Sequence, residues 1–152
     1  MRQEYGRSLI EIIGVLAIGA VMTGATIAMY KSIRTTQVRT IATSEIEQIV
    51  KNVKLLTGAR GTYEGVSVDY LIKSGAIQSN AAPLGGDDWS ITPSIDGKSF
   101  SVNLTKLTMG ECAYFSTKQP MWVSSILVNG NKIDGTSHCF STNTNMISFV
   151  VE

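Results

Sequence analysis

Hydrophobic and polar positions alternate with three different periods along this chain, and the changes of period divide it. From Ile12 to Tyr30 nineteen residues pass without a charge (IIGVLAIGAVMTGATIAMY). As a helix that run is about 28 Å long, close to the ~30 Å hydrocarbon thickness of a bilayer. Beyond it the period becomes amphipathic. Ile33, Val38, Ile41, Ile46, Ile49, Val50, Val53 and Leu56 recur at helical steps between Arg34, Arg39, Glu45, Glu47, Lys51 and Lys54, which predicts one dry face. Thr57-Gly58 reads as the stop, with Gly58 as a left-handed cap. Residues 8–57 are therefore expected to form one helix of about 75 Å, apolar in its first half and amphipathic in its second.

After residue 58 the pattern shortens. Val66 to Gly75 reads as a short helix with Ser67 as N-cap and Gly75 as stop. Asn80 to Asp88 is a loop by composition. Residues 89–92 and 99–104 alternate as strands around an Asp96-Gly97 turn. Leu104 to Thr117 is expected to be a helix carrying Cys112, and Met121 to Val128 a strand. Asn129-Gly130-Asn131-Lys132 signals a hairpin turn, and Met146 to Val151 a final strand. The fold class this implies is α+β, a long N-terminal helix packed on a small antiparallel sheet.

Charge adds little to that outline. The chain is 152 residues long with a formal net charge of +1, which allows one domain plus an apolar segment and does not indicate a nucleic-acid binder. Residues 7–57 hold six basic and three acidic side chains, and residues 58–152 six and eight. Arg2 and Arg7 precede the apolar run while Lys31, Arg34 and Arg39 follow it, so charge alone does not fix its orientation in a membrane. One carboxylate, Glu11, sits at the front edge of the run. An acid there needs a partner, and Arg7, one turn earlier, is the local candidate.

The start of the chain carries a more specific signal. Gly6 closes a short leader, Ser8 stands second after it and Glu11 fifth, ahead of Leu9-Ile10-Glu11-Ile12-Ile13-Gly14-Val15-Leu16-Ala17-Ile18. This resembles the class III signal of type IV pilins and pseudopilins, although residue 7 is Arg where that family usually has an aromatic or large apolar residue. The resemblance implies residues 1–6 as a leader removed by a prepilin peptidase between Gly6 and Arg7, and N-methylation of Arg7. It implies Glu11 as the assembly contact with the new N-terminus of a neighbouring subunit. Residues 7–57 would be the long helix, 7–30 in the membrane or filament core and 31–57 amphipathic, and residues 58–152 the globular head. Further expectations are a homo-oligomeric helical filament, an inner-membrane assembly platform as partner, and single-pass insertion in a bacterial inner membrane before export of the filament. The alternatives are a pseudopilin or minor pilin of a secretion system, and an anchored binding domain that never polymerises.

Two cysteines, Cys112 and Cys139, are consistent with an oxidising compartment, where one bridge would close a loop of about 27 residues. Free buried thiols are the alternative. A metal site fits poorly, because His138 is the one histidine and adjacent ligands at 138 and 139 lack zinc spacing. Asp87-Asp88 offer too few oxygens for calcium. No nucleophile–base pair, phosphate loop or nucleophile elbow appears, so neither catalytic residues nor a cofactor are expected. Asp87, Asp88, Asp96, Glu111 and Asp134 read as solvated turn acids. Trp89, Trp122, Tyr63, Tyr70 and Tyr114 read as core rather than as a binding patch.

Overall fold

A computed structural model of the chain describes residues 4–78, 89–134 and 138–152. Two compact units are distinguished, residues 1–38 and 39–152. Helix α1 (Glu4–Thr57) begins in the first and ends in the second. The first unit is helix throughout its described residues, every side chain from Ser8 to Val38 being exposed.

The second unit is the head. It contains the last turns of α1, helix α2 (Val68–Lys73), strand β1 (Trp89–Pro93), strand β2 (Phe100–Leu107), helix α3 (Met109–Thr117), and strands β3 (Ser125–Val128), β4 (Asn131–Lys132) and β5 (Asn145–Val151). All pairings are antiparallel and the strand order is β1-β2-β5-β3-β4. Alternation along each strand sends Ile91, Phe100, Val102, Leu104, Ile126, Val128, Ile147, Phe149 and Val151 into one core. Ala42, Ile46, Ile49, Val50 and Val53 of α1 join it, together with Cys112 and Phe115 of α3.

The dry face of α1 is narrower than the sequence suggests. Ile33, Val38 and Ile41 stay exposed and Ala42 is buried instead. At 100° per residue Ile41 lies about 140° around the helix from Ile46, on the far side from the sheet. Leu55 is exposed for the same reason.

Helix α1 also ends differently. The amide of Gly58 continues the helical pattern by donating to the Lys54 carbonyl at 2.9 Å, and the left-handed residue is Gly61, at φ 69°. The chain then folds back onto the β1–β2 hairpin. Tyr63 N donates to the Gly97 carbonyl at 2.8 Å, and Thr62 Oγ1 to the same oxygen at 3.3 Å. Gly97 takes φ 66°, and a Cβ there would collide with Thr62 Oγ1. This glycine is thus required twice over, by its backbone and by its neighbour.

Two element boundaries depart from the sequence expectation. Leu104 to Leu107 is strand, so the helix expected over 104–117 is only Met109–Thr117. Leu104 and Leu107 both face the core because the ladder with β5 shifts register between them. Lys106 absorbs the extra residue in a left-handed conformation, φ 56°, as a β-bulge does. Thr108 then starts α3 with a capping box: its hydroxyl accepts from Glu111 N, and the Glu111 carboxylate accepts from Thr108 N at 2.8 Å.

The strand expected over 121–128 is likewise shortened to β3. The Val123 amide turns back to the Pro120 carbonyl, and Gln119 Nε2 donates to the carbonyls of Val123 and Ser124 at 2.9 and 3.2 Å. Those two carbonyls are therefore engaged by a side chain. The β3–β4 turn follows the sequence signal, with Asn129 and Gly130 at φ 51° and 84°, the all-positive pair of a two-residue hairpin.

Candidate functional site

The candidate functional features are the apolar part of α1 in the first unit and the disulfide-bridged head in the second. In the first unit Leu9, Ile10, Ile12, Ile13, Val15, Leu16, Ile18, Val21 and Met22 are between 56 and 74 % exposed. An apolar surface of this size has no place in water. Among the described residues α1 is the one helix long and apolar enough to cross a membrane. Its few hydroxyls are consistent with an apolar surround: Thr23 Oγ1 donates to Gly19 O at 2.7 Å and Thr26 Oγ1 to Met22 O at 2.6 Å. Neither leaves an unsatisfied donor.

Glu11 is exposed among these apolar residues, and among the described side chains no cation lies within ion-pair distance of it. The backbone of Gly6 and Arg7 is in the first turns of α1, while the side chain of Arg7 lies outside the described set. A Cβ at Gly14, Gly19 or Gly24 would meet nothing within 4 Å, so none is required by packing within the chain.

In the head, Cys112 and Cys139 are joined, with their Cα atoms 5.9 Å apart. The bridge ties the first turns of α3 to the segment that leads into β5. Asn145, fully buried at the start of β5, secures the same segment. Its Nδ2 reaches the carbonyls of Leu107, Phe140 and Thr142, and its Oδ1 accepts from Phe140 N at 2.7 Å and Asn129 Nδ2 at 3.1 Å. Nothing in the sequence distinguishes Asn145 from the polar residues around it. Its role follows from the bulge in β2, which turns the Leu107 carbonyl toward it.

The sequence likewise does not signal the stack on α3. The Arg39 guanidinium lies 4.8 Å from the Tyr114 ring centre, and Lys118 Nζ 5.0 Å from the same centre. Gly110, one turn before Tyr114, lies beside the same guanidinium, and a Cβ there would be in ordinary contact with it at 3.6 Å.

The acids considered for chemistry are structural where they are described. Asp96 accepts from Ser94 Oγ at 2.5 Å and from Lys98 N at 3.1 Å within the β1–β2 turn. The Ser94 hydroxyl first, and the Lys98 amide second, hold its carboxyl below the ordinary range. Glu111 is occupied in the capping box, and Asp134 lies 3.2 Å from His138 Nε2. Asp87 and Asp88 lie outside the described residues, as does the loop expected over 80–88. Among the described residues no three His, Cys, Asp or Glu converge to hold a metal ion. Of the aromatics, Tyr63 packs on Phe100 with ring centres 4.8 Å apart, and Trp122 on Phe149 at 5.9 Å. Trp89, Tyr70 and Tyr114 also pack against the core.

No family model matches the chain and no curated protein matches its sequence. Nine chains among solved structures match it. One is TcpA, a type IV pilin from Vibrio cholerae El Tor biotype, with a TM-score of 0.61 and 14% sequence identity. The similarity covers 76% of this chain and 99% of that one. The chain therefore has the fold of a type IV pilin.

Proposed function

We propose that this protein is a type IV pilin-like subunit, inserted in a bacterial inner membrane by α1, cut between Gly6 and Arg7, and assembled through its apolar half-helix into an extracytoplasmic filament. The observation that carries the reading is the pairing of two things: a pilin-fold head, and a helix whose first half exposes apolar side chains on every side. Such a helix is suited first to lipid and then to other copies of itself. Burying these side chains helix against helix supplies a non-directional driving force proportional to apolar area.

Register then has to come from polar groups. A carboxylate left alone in an apolar filament core is costly, so Glu11 favours the one arrangement in which it meets a positive charge, here the amino group of a processed neighbour. Arg7 would carry that amino group and its methyl. A prepilin peptidase and an inner-membrane assembly platform are the partners this pathway requires. The head would set the filament surface and with it adhesion, motility, DNA uptake or secretion.

The test is the intact mass of the protein extracted from its native membrane. Loss of residues 1–6 together with one methyl group supports the pathway. An intact Met1, or a cut elsewhere, leaves an anchored domain that does not polymerise. Glu11→Ala separates the same two readings, because filaments should disappear while the protein stays in the membrane.

A further inference from the structure

The apolar run ends at Tyr30, and the next turn of α1 carries Lys31 and Arg34, three positions apart and so on one face. All three side chains are exposed, Tyr30 by 65 %. Among the described residues neither cation meets a carboxylate. The acids nearest to them along α1 are Glu11 and Glu45, roughly 30 Å before Lys31 and 16 Å beyond Arg34 at the helical rise. Thr35, between them and Val38, turns its hydroxyl back to the Lys31 carbonyl at 2.9 Å.

We propose that Tyr30, Lys31 and Arg34 form a collar that binds the phosphate of anionic phospholipids at the head-side surface of the membrane. The inference rests on the reading that residues 12–30 span the bilayer. A run of that length brings Tyr30 to the edge of the hydrocarbon, where aromatic rings with a polar tip reside. One turn further on, Lys31 and Arg34 reach the phosphate layer. Arg34 presents a planar fork suited to two phosphate oxygens, and Lys31 a point charge beside it.

A second copy standing alongside at equal depth offers no acid to compete. Its carboxylate at Glu11 is at the opposite end of the run, and Glu45 is three turns higher. The abundant anion at this level is the lipid. The collar also fixes how deep the helix sits, because raising it would strip two cations of their phosphates and lowering it would bury them in hydrocarbon.

The experiment uses the full chain reconstituted in phosphatidylcholine vesicles containing spin-labelled phosphatidylglycerol or spin-labelled phosphatidylcholine. The fraction of immobilised label gives the relative association of each lipid with the helix. The expected preference for phosphatidylglycerol is several-fold, roughly fivefold for each cation engaged, and falls with added salt. It should fall several-fold in Lys31→Gln/Arg34→Gln, leaving only what Arg2 and Arg7 contribute at the other end of the run, and stay unchanged in Lys73→Gln, an exposed lysine of the head.

Parity in the unmodified chain, or a preference left unchanged by the double substitution, overturns the collar. Alkaline carbonate washing of the same vesicles separates the two levels of the argument. Protein that resists the wash without lipid preference refutes the collar alone, and protein that washes off refutes the spanning helix with it.

Discussion

Reducing the Cys112–Cys139 bridge should destabilise the head by an amount that the loop itself sets. The two cysteines are 27 residues apart, and opening a loop of that length restores to the unfolded chain an entropy equivalent to about 3.5 kcal/mol. The folded side should change little. Cys112 stays fully buried, and the segment after Cys139 is still held by Asn145 through Leu107, Phe140 and Thr142. The loss is thus expected to appear as easier unfolding of an otherwise intact head.

For a unit of this size that corresponds to a fall in Tm of about 10–20 °C. Both tryptophans of the chain, Trp89 and Trp122, belong to the head, so their fluorescence in the full chain in detergent follows head unfolding without a contribution from the apolar segment. The measurement compares oxidised and reduced protein in the same detergent. A shift of less than about 3 °C would refute the reasoning, because it would mean that the loop is already constrained in the unfolded chain. Complete loss of the folded signal would refute the assigned role of Asn145, by showing that the bridge alone held the segment.

Other perturbations test other joints of the fold. Phe149→Ala removes a fully buried ring packed edge-on to Phe115 at 5.8 Å and beside Trp122 at 5.9 Å; a loss of about 3–5 kcal/mol and a red-shifted tryptophan spectrum are expected by urea titration. Gly97→Ala should destabilise through both its left-handed backbone and its collision with Thr62, by about 1–2 kcal/mol for the backbone alone. Thr62→Ala in that background should recover only the collision, so a double-mutant cycle without coupling would sink the assignment.

Asp96 gives a pH dependence whose sign is fixed. Its folded carboxyl titrates below the unfolded one, so its contribution is present above the unfolded value and disappears as pH falls through the folded value, below about pH 4. Asp96→Asn should flatten that part of the Tm-against-pH curve, and an unchanged curve would contradict the Ser94 contact.

The long helix, the capped α2, both hairpin turns and the last strand were legible because each rests on a local signal: uninterrupted apolarity, Ser67 before and Gly75 after, Asp-Gly and Asn-Gly pairs, alternation. The end of β2 was not. Leu104 and Leu107 are spaced like a helical face, and only the bulge at Lys106 brings both inward from a strand. The sequence outweighed this with the good helix pattern after Thr108, whose capping box marks the true start.

The dry face of α1 was overread because apolarity along a helix does not say which neighbour receives it. Ile41 is as apolar as Ile46, and it takes the position of the sheet to tell them apart. The pilin resemblance was carried by Gly6, Ser8 and Glu11, and the fold agrees with it. The proposed pairing of Glu11 and removal of residues 1–6 would be set by other molecules, not by the folding of one chain.

The order of the strands has a consequence for how the protein is made. β5 is the last element in the chain, yet it occupies the middle of the sheet, with β2 on one side and β3 on the other. Until residues 145–151 have been synthesised, β1–β2 and β3–β4 are two separate hairpins with nothing between them, and isolated hairpins are marginal in water. The apolar half of α1 is made more than a hundred residues earlier. A chain emerging from the ribosome therefore commits its helix while its head is still unfolded and extended. On the membrane reading proposed above, such a head would cross without an unfolding step, and its sheet would close as a single late event on the far side.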